Sequence, residues 1–510
     1  MKKKLLIALV VIVVLAIVWF GTAFLQQPPK NPLVIVNYED YLPDYSITKE
    51  QLIQDVDFYA SHVDKMHADP YKIITRQNFF KKAEEINVRI RAHSSEKFDV
   101  FEAQYHLQEL AASIQDGHTR VNRPWKWGDT VDSVFPLTLI PVGKRLFIEN
   151  NYGENDLPVR AEILAINGIP IKQMMDETMK YVDATLPHFK SMRWAFYLRY
   201  FIQTYYRMQS PWEVTYVHEG TRATTSIKGM AVESLRKALA PQGDYRESEF
   251  TVNGESIPVL ELVGFGSSEW KDFQKFHNEF FSKHKDKKYL VIDVRQHPGG
   301  NGLWGYWVLA HITDSPFRRY SQFTFKASPT YKKLVRYYFQ LEYYRRKIPW
   351  FLWGLPLYKF KEQEDAYYWI NRGILESEPG AFVDSKAIMY EVEEEFDRFK
   401  GKVYLLTSHK TFSAGVVFAA AFKSSGMGIV VGRETGGRVD FLSDSRWVEF
   451  PNSKLLINMP VAKLVLEGDN PDRGVLPDVH VEFTPEDYIK QRDKDIEKVK
   501  ELIREELEIK

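Results

Sequence analysis

The segment Lys402-Val-Tyr-Leu-Leu-Thr-Ser-His-Lys-Thr-Phe-Ser413-Ala-Gly-Val-Val-Phe-Ala-Ala-Ala421 decides the fold of this chain. An apolar run ends in small polar residues, and a helix of small residues is predicted to begin directly after Ser413. Such a strand–turn–helix lifts a serine hydroxyl above a sheet and points the positive N-terminus of a helix at it. The segment therefore predicts a serine presented at the end of a strand.

Around this segment, from about residue 247 onward, strands and helices alternate. Strands are predicted at 257–263, 289–294, 403–406 and 428–431, with helices at 270–283 and after Ser413. This alternation predicts an α/β core at 247–485 with a mixed, largely parallel sheet, interrupted by an insertion at about 312–390. Sites in such sheets lie at the carboxyl ends of the strands.

The rest of the chain divides by its hydrophobic pattern. Residues 48–130 are predicted to be a helical region that ends its last long helix at Asp116-Gly117. Residues 131–235 contain short strands and the tight-turn pair Asn167-Gly168, with a helical insertion at about 172–208. A charged helix is predicted at 486–510.

The composition of the chain excludes several classes of function. The chain has 510 residues, which favours two or three domains. Lys plus Arg and Asp plus Glu both number 68, and a net charge of zero argues against nucleic acid as the main partner. The chain has no cysteine, so disulfides, thiol catalysis and cysteine metal sites are excluded.

The N-terminus has the pattern of a membrane anchor. Residues 1–4, with three lysines, precede an uncharged apolar run at 5–25, about 31 Å long as a helix. This favours a single-pass cell-membrane protein with a cytoplasmic stub at 1–4, a linker at 26–47 and an extracytoplasmic catalytic region. A cleaved signal peptide with its site near Gly21-Thr22-Ala23 is the alternative.

A basic and aromatic segment at 331–361 leaves two interpretations open. Eight Lys and Arg residues are interleaved there with many aromatic residues and a single acid, Glu342. One interpretation is a helical excursion packed on the core. The other is contact with an anionic membrane surface beside the anchor.

Ser413 needs a general base, because a free hydroxyl is a poor nucleophile at neutral pH. His118 follows the helix stop in Gln115-Asp-Gly-His-Thr119, so it is predicted on a loop, with Thr119 placed to orient it. His409 and Lys410 are rival bases. The strand end Asp293-Val-Arg-Gln-His-Pro-Gly299-Gly300-Asn301 carries paired glycines, whose backbone N–H groups suit an oxyanion hole.

Together these segments resemble the tail-specific, or C-terminal-processing, serine peptidase family, which includes tricorn-type cores and the repeats of interphotoreceptor retinoid-binding protein. The resemblance covers residues 50–485. It rests on six matches: the strand end with Asp293, Arg295, Gly299 and Gly300; Ser413-Ala414; Gly432-Arg-Glu-Thr-Gly-Gly437; Gly474-Val-Leu-Pro-Asp478; the Asp-Gly-His-Thr motif; and a helix start at His67-Ala-Asp-Pro70. The chain departs from the family at His297, where the family has Asn, and at Val416, where it has Glu.

The resemblance implies a ClpP/crotonase-like core, a PDZ-like module at 131–235, a protein or peptide substrate, and no metal or cofactor. It implies Ser413 as nucleophile and His118 as base, with Asp472 favoured over Glu434 as the acid. Oxyanion donors would be Ala414 and Gly299 or Gly300, with Asp293 and Arg295 as structural support. Arg438 occupies the position of the lysine in the lysine-dyad branch, and arginine does not act as a base in proteins.

Three functions remain open on the sequence. The favoured one is a membrane-anchored extracytoplasmic serine endopeptidase that works through an acyl-enzyme. A ligand- or peptide-binding protein on the same scaffold is the alternative, although keeping both Ser413 and His118 favours catalysis. An esterase is a third, but Thr411-Phe-Ser413-Ala-Gly415 has only the second glycine of the Gly-x-Ser-x-Gly elbow.

Overall fold

The computed structural model describes residues 21, 26–33, 45–124, 127–240, 243–352, 366–385, 389–392, 397–468 and 470–508. The predicted anchor at 5–25 lies outside these residues except for Gly21, and so do residues 34–44 of the linker at 26–47. Across the described ranges, no helix has the length and apolar character needed to cross a membrane.

The first described region is helical, as its hydrophobic pattern predicts. Its elements are β1 (Ser46–Thr48), α1 (Lys49–Met66), α2 (Arg76–Ala92), β2 (Lys97–Asp99), α3 (Val100–Ala112) and β3 (Arg120–Val121). Thr48 and Asp99 begin α1 and α3 with capping boxes, which satisfy the free backbone N–H groups of the first turn. The predicted helix start at His67 is wrong: α1 ends at Met66, and His67 begins a loop.

The second region is an antiparallel sheet with a helical insertion between two of its strands. Its elements are β4 (Leu137–Val142), β5 (Arg145–Asn151), β6 (Glu162–Ile166), β7 (Ile169–Pro170), α4 (Ile171–Thr178), α5 (Pro187–Tyr200), β8 (Trp212–His218), β9 (Thr221–Ile227) and α6 (Val232–Leu239). The strands lie in the order β4-β5-β6-β8-β9, with β7 paired to β6. Asn167 and Gly168 have φ of 47° and 77° and make the tight turn that their sequence predicts. Helix α5 packs on β4.

The third region contains the α/β core and a second sheet. Its elements are β10 (Tyr245–Val252), β11 (Glu255–Leu262), α7 (Trp270–His284), β12 (Tyr289–Asp293), α8 (Gly302–Ala310), β13 (Phe317–Arg318), β14 (Gln322–Lys326), α9 (Pro329–Arg345), α10 (Ala366–Glu376), β15 (Phe382–Ser385), β16 (Met389–Tyr390), β17 (Lys402–Thr407), α11 (Ala414–Ser424), β18 (Ile429–Gly432), β19 (Asp440–Glu449), β20 (Leu456–Val465), β21 (Val479–His480), α12 (Pro485–Ile489) and α13 (Lys494–Glu508).

The core sheet has the order β10-β11-β12-β17-β18-β21, and every neighbouring pair is parallel except β10 with β11. Its central strands are apolar throughout because both faces are covered. Leu290 and Ile292 pack with Phe418 of α11 on one face. Val291 packs with Val499 of α13 on the other. The prediction of a mixed α/β protein with a largely parallel core sheet is confirmed.

A second, antiparallel sheet is absent from the sequence prediction. Strands β15, β14, β20 and β19 lie side by side, and the two-residue strand β3 pairs with β20. In that pairing Arg120 lies opposite Asn458, and Val121 opposite Ile457. Because β3 directly follows the loop of His118, this sheet fixes that loop to the C-terminal half of the chain.

The basic and aromatic segment begins as helix α9, which packs on the rest of the protein. Tyr331, Leu334, Val335 and Tyr343 are buried in α9. The first three belong to the same hydrophobic cluster as the N-terminal helices. Packing of this kind is what the helical-excursion interpretation predicts for residues 329–345; residues 353–365 lie outside the described residues.

Candidate active site

Ser413 lies at the sharp turn between β17 and α11. Its φ of 52° and ψ of −118° put a residue with a side chain in a region that such residues seldom occupy. Strain of this kind is concentrated at functional sites, and the strand-to-helix turn is the geometry of a nucleophile elbow. The turn is held by the Phe412 N–H, which donates to the His297 carbonyl at 2.9 Å.

The imidazole of His118 reaches Ser413 from the N-terminal region. Its Nε2 lies 3.1 Å from the serine Oγ, although the two residues are 295 positions apart. The ring is stacked between Phe412 and Phe441, with centroid distances of 4.8 and 5.6 Å. The His118 carbonyl accepts a hydrogen bond of 2.9 Å from the Asn458 side-chain amide. Strand pairing and stacking together fix the ring against the serine.

The surroundings of His118 keep its imidazole neutral. Burial, together with the nearby guanidinium groups of Arg193 and Arg120, lowers the pKa of His118 to about 3. A neutral imidazole with Nε2 facing a serine hydroxyl is the form that accepts a proton. This arrangement suits a general base.

Asp116 supports the loop that carries His118. Its Oδ2 accepts from the His118 N–H at 3.0 Å and from the Thr119 hydroxyl at 2.7 Å. Because the Thr119 hydroxyl donates to Asp116, it accepts from Nε2 of the buried His67, 2.8 Å away. Thr119 therefore orients Asp116 directly, and not His118 as its position in the sequence suggests.

Asp116 is also the one carboxylate among the described residues within 4.0 Å of the His118 imidazole. Its Oδ1 lies 4.0 Å from the His118 Nδ1, and this buried nitrogen has no hydrogen-bond partner in the described part of the chain. Burial raises the pKa of Asp116 to about 6. Near neutral pH the carboxylate is thus largely ionised beside the imidazole.

The two predicted acids lie elsewhere. Glu434 accepts from Arg473 at 2.9 and 2.6 Å, and Asp472 is 68% exposed with an oxygen 3.5 Å from Arg438. Neither carboxylate is brought to His118 in the described structure. Glu434 lies within Gly432–Gly437 and Asp472 lies just before Gly474, and Arg473 and Arg438 are their respective arginine neighbours.

The rival bases are also engaged away from the serine. Nδ1 of His409 faces the Glu434 carbonyl at 3.0 Å, and Nζ of Lys410 lies 2.5 Å from the Glu149 carboxylate. Burial lowers the pKa of His409 to about 4. Lys410 instead links the core to strand β5 of the antiparallel region.

The glycine pair at the end of β12 lies against Ser413. Gly299 and Gly300 have φ of 124° and 122°, which favours glycine at both positions. A Cβ on Gly299 would lie 2.7 Å from the Ser413 Cβ, and a Cβ on Gly300 would lie 1.8 Å from the Phe265 carbonyl oxygen. The lack of a side chain lets the backbone approach Ser413 at Gly299 and the Phe265 backbone at Gly300.

One of the predicted oxyanion donors, the Gly299 N–H, already donates a hydrogen bond within the protein. The Gly299 N–H donates to Nδ1 of the buried His297 at 3.2 Å. Ala414 is the first residue of α11, so its N–H has no carbonyl partner one turn earlier in the helix. Gly300 and Ala414 are therefore the stronger candidates for the two donors. His297, which the sequence marks as a departure from the family, positions the glycine loop.

The predicted structural pair at the strand end forms a larger ion cluster. The Arg295 guanidinium binds Asp293 through Nε at 3.0 Å and Nη2 at 2.7 Å. Asp493 and Asp495 of the C-terminal segment bind the same guanidinium at 2.7 and 3.0 Å. These carboxylates raise the pKa of Arg295. The cluster fixes the start of the glycine loop to the C-terminal helix α13.

Three supporting residues were missed as site residues by sequence reasoning. Asp116 stands within the quoted motif, and its position two residues before the base was an available signal. Phe441 and Asn458 reach His118 through the second sheet. Locating them requires the pairing of β3 with β20, for which the sequence has no local signal.

This geometry is that of a serine-type hydrolase site, because a buried imidazole lies within hydrogen-bonding distance of a strained serine. The model of peptidase family S41 matches residues 256–481, which contain Ser413 and the glycine loop. Residues 256–481 thus carry the sequence pattern of peptidase family S41, and this match together with the protease neighbours supports a serine-type peptidase. His118 lies outside the matched range and is joined to it by the fold.

Solved structures resemble most of this chain in fold, and a curated protein resembles a quarter of it in sequence. Mature CPAF complexed with lactacystin is 14% identical, with a TM-score of 0.65 over 89% of this chain and 98% of that chain. Mature CPAF alone has a TM-score of 0.62. A putative tricorn-like protease C-terminal subunit from Sulfurisphaera tokodaii is 31% identical over 126 residues, which cover 24% of this chain and 14% of that protein. The structural likeness shows the fold alone.

Proposed function

We propose that this protein is a serine endopeptidase that cleaves peptide bonds through an acyl-enzyme. The observation that carries the proposal is the 3.1 Å contact between His118 Nε2 and Ser413 Oγ. General-base activation of a serine by histidine needs heavy-atom distances of about 2.6–3.2 Å. The contact joins the strained serine to a neutral imidazole, which is the form that accepts the hydroxyl proton.

In the acylation step, Ser413 Oγ attacks the scissile carbonyl carbon while His118 Nε2 takes the hydroxyl proton. The carbonyl π electrons move to oxygen, and the N–H groups of Gly300 and Ala414 donate to that oxyanion. Collapse of the intermediate breaks the C–N bond, and His118 gives its proton to the departing amine. Water then repeats the sequence on the ester and restores Ser413.

Asp116 has a positioning role in this proposal. Its carboxylate holds the His118 backbone and lies 4.0 Å from Nδ1, so it favours the imidazolium that forms during each proton transfer. The distance is too long for a direct hydrogen bond in the described structure. Asp116 therefore acts through charge and loop geometry.

The remaining predictions extend the same proposal. The region 131–235 is proposed as a PDZ-like module that adds a substrate strand to its sheet edge, supported by its antiparallel strands and exposed β9. The core is proposed to be ClpP/crotonase-like. A single-pass anchor at 5–25, with the site outside the cytoplasm, is supported by the uncharged apolar run behind three lysines.

Labelling with a fluorophosphonate probe tests the catalytic proposal directly. The full-length protein in mild detergent is compared with Ser413→Ala and His118→Ala, and circular dichroism checks that each is folded. We expect labelling of the wild type, none of Ser413→Ala, and a rate at least about 10³-fold lower for His118→Ala. A folded wild type that neither reacts nor cleaves a peptide library would favour a binding protein on this scaffold.

A further inference from the structure

Helix α5 of the antiparallel region packs against both loops of the proposed catalytic site. Phe189, in its first turn, stacks on Phe412, the residue before Ser413, with the ring centroids 4.4 Å apart and the planes at 15°. Phe412 stacks in turn on His118 at 4.8 Å, and His118 stacks on Phe441 at 5.6 Å. Four rings therefore form one column, which ends at α5 on one side and at the second sheet on the other.

The guanidinium of Arg193 lies beside the α5 end of this column. Its central carbon is 4.6 Å from the centroid of the Phe189 ring and 5.1 Å from that of Phe412. Its Nη1 donates to the Gly117 carbonyl at 2.8 Å, and Gly117 directly precedes His118. Arg193 thus contacts both the residue before the proposed base and the residue before the proposed nucleophile.

Asp183, which is fully buried, holds the guanidinium in this orientation. The backbone carbonyl of Asp183 accepts from Arg193 Nη1 at 2.7 Å, and the Asp183 carboxylate is ion-paired with the same nitrogen. The other carboxylate oxygen accepts from the Tyr197 hydroxyl at 3.1 Å. Because only 11% of the Arg193 side chain is exposed, solvent does not compete strongly for these contacts, and the direction of the guanidinium is defined.

Two further contacts hold the same segment against the site. The Thr185 hydroxyl donates to the Gln115 carbonyl at 2.7 Å, at the start of the loop that carries His118. Nε2 of His188 lies 3.0 Å from the carbonyl of Thr435, in the glycine element that follows the core helix. These contacts fix α5 on both sides of the site, so Arg193 is presented from a well-anchored helix.

Arg193 also contributes to the charge balance around the imidazole. The charged side chains near His118 include Asp116, Arg120 and Arg193. Burial is the main cause of the lowered pKa of His118, and the Arg193 cation adds to it. The same cation opposes the rise in the pKa of Asp116 that burial causes. Loss of the cation would therefore raise both pKa values.

We propose that Arg193 is a positioning residue of the peptidase, which bridges the His118 loop and the Ser413 loop and keeps the imidazole in line with the hydroxyl. The inference rests on the proposed peptidase function and extends its machinery to the antiparallel region. Arg193 acts through Gly117 and Phe412 and touches neither reacting atom. A displacement of either loop by about 1 Å is enough to lower the rate about 100-fold.

Steady-state kinetics of two substitutions test the bridge with a cleavable peptide. Arg193→Met removes the cation and its N–H donors but keeps an unbranched stem, whereas Arg193→Lys keeps the cation. We expect kcat of Arg193→Met to fall about 10–100-fold with KM within about threefold of the wild type, and Arg193→Lys to recover part of the loss. The acidic limb of kcat/KM should move to higher pH by about half a unit in Arg193→Met and stay in place in Arg193→Lys.

Arg145→Met is the matched control. Arg145 also lies over an aromatic ring, that of Phe147 at 4.9 Å, and it pairs with Glu162 at 2.7 Å within the antiparallel region. This variant should leave both kcat and the acidic limb unchanged. An unchanged kcat in Arg193→Met, or a lower kcat whose acidic limb stays in place, would overturn the inference.

A double variant separates the bridge from the stability of the ion pair. Arg193→Met leaves the buried Asp183 carboxylate without its cation, so Arg193→Met/Asp183→Leu is measured beside it. Replacing a buried ion pair by apolar side chains is often neutral for stability. We expect the urea midpoint of the double variant to stay close to that of the wild type and its kcat to fall about 10–100-fold. Wild-type kcat in this folded variant would count against the bridge.

Hydrogen–deuterium exchange separates this inference from the catalytic proposal, because it requires no hydrolysis. In full-length protein in mild detergent, Ser413→Ala/Arg193→Met should exchange at least about tenfold faster than Ser413→Ala in peptides that cover 115–119, and Ser413→Ala/Arg145→Met should not. Faster exchange together with a wild type that cleaves nothing supports the bridge and rejects the catalytic proposal. Unchanged exchange together with active cleavage by the wild type rejects the bridge alone.

Discussion

The loop that carries Ser413 and the loop that carries His118 meet at 3.1 Å, but they are held by different kinds of contact. The serine loop is fixed by its own strand and helix and by the adjacent glycine loop, within about 120 residues of sequence. The histidine loop is fixed by Asn458, Phe441 and the pairing of β3 with β20, more than 300 residues away. The proposed nucleophile is therefore positioned mainly by its own strand and helix, and the proposed base by long-range strand pairing.

The sharpest test of the histidine side concerns its acid. Asp116→Asn keeps an acceptor for the loop but removes the charge beside His118, so we expect kcat/KM to fall about 10²–10⁴-fold. Asp472→Asn is the matched control and should change kcat/KM by less than about threefold, because its side chain is 68% exposed. Steady-state kinetics with a cleavable peptide measure both. A larger loss in Asp472→Asn would show that Asp472 reaches His118 only with substrate bound.

The serine side is tested through its glycines. A Cβ at Gly300 would lie 1.8 Å from the Phe265 carbonyl, so Gly300→Ala must displace backbone. We expect a loss of at least about 2 kcal/mol in the free energy of unfolding and at least about tenfold in fluorophosphonate labelling.

The control for Gly300 lies two residues further on. An added Cβ at Gly302 meets no atom within 4 Å, and the residue begins helix α8. Gly302→Ala should leave stability within about 0.5 kcal/mol of the wild type and labelling unchanged. Equal behaviour of the two variants in urea unfolding would contradict the close approach described for the glycine loop.

The link between the two sheets is expected to give a smaller effect. Asn458→Leu removes the donor to the His118 carbonyl, and we expect kcat to fall about tenfold with little change in KM. Asn87→Leu removes another buried amide, which donates to Asp57 at 2.9 Å within the N-terminal region. It should cost stability, about 1–3 kcal/mol, without changing kcat. Similar kcat values for the two variants would mean that the loop needs no support from β20.

The smallest effect concerns pH. On the loop that carries His118, the Asp116 carboxyl has a pKa of about 6 and changes charge near neutral pH, whereas the Ser413 hydroxyl does not. Neutral His118 is the active form, and its lowered pKa moves the loss of activity toward lower pH. Because Asp116, with a pKa of about 6, is protonated first, we expect kcat/KM to begin falling near pH 6 and to fall further below it. An acidic limb centred at or above about 6.5, the usual histidine value, would contradict the burial of this pair.

These contrasts explain what the sequence can and cannot predict. The core strands were predictable because parallel strands covered on both faces are continuously apolar, as at 289–294. The serine turn was predictable because it lies between one strand and one helix. The sheet of β19 and β20 was not, since β20 pairs with β14 and β3, which lie far from it in the chain.

The same reasoning applies to the site residues. Ser413 and His118 were proposed from short motifs, and the structure brings their side chains together. The third member could not be placed from spacing alone, because Asp472 and Glu434 are bound by arginines that the sequence does not place beside them. Asp116 was not considered as the acid, although it stands two residues before His118, and its burial beside the imidazole emerges only from the fold.

The Arg295 cluster can be completed only late in translation. Asp493 and Asp495 bind the guanidinium at the start of the glycine loop, and ribosomes add them after every other residue of the site. A nascent chain that ended before them would already carry Ser413 and His118 but would leave Arg295 without two of its three carboxylates. Unfinished chains would thus lack two of the ion pairs that fix the start of the glycine loop beside Ser413.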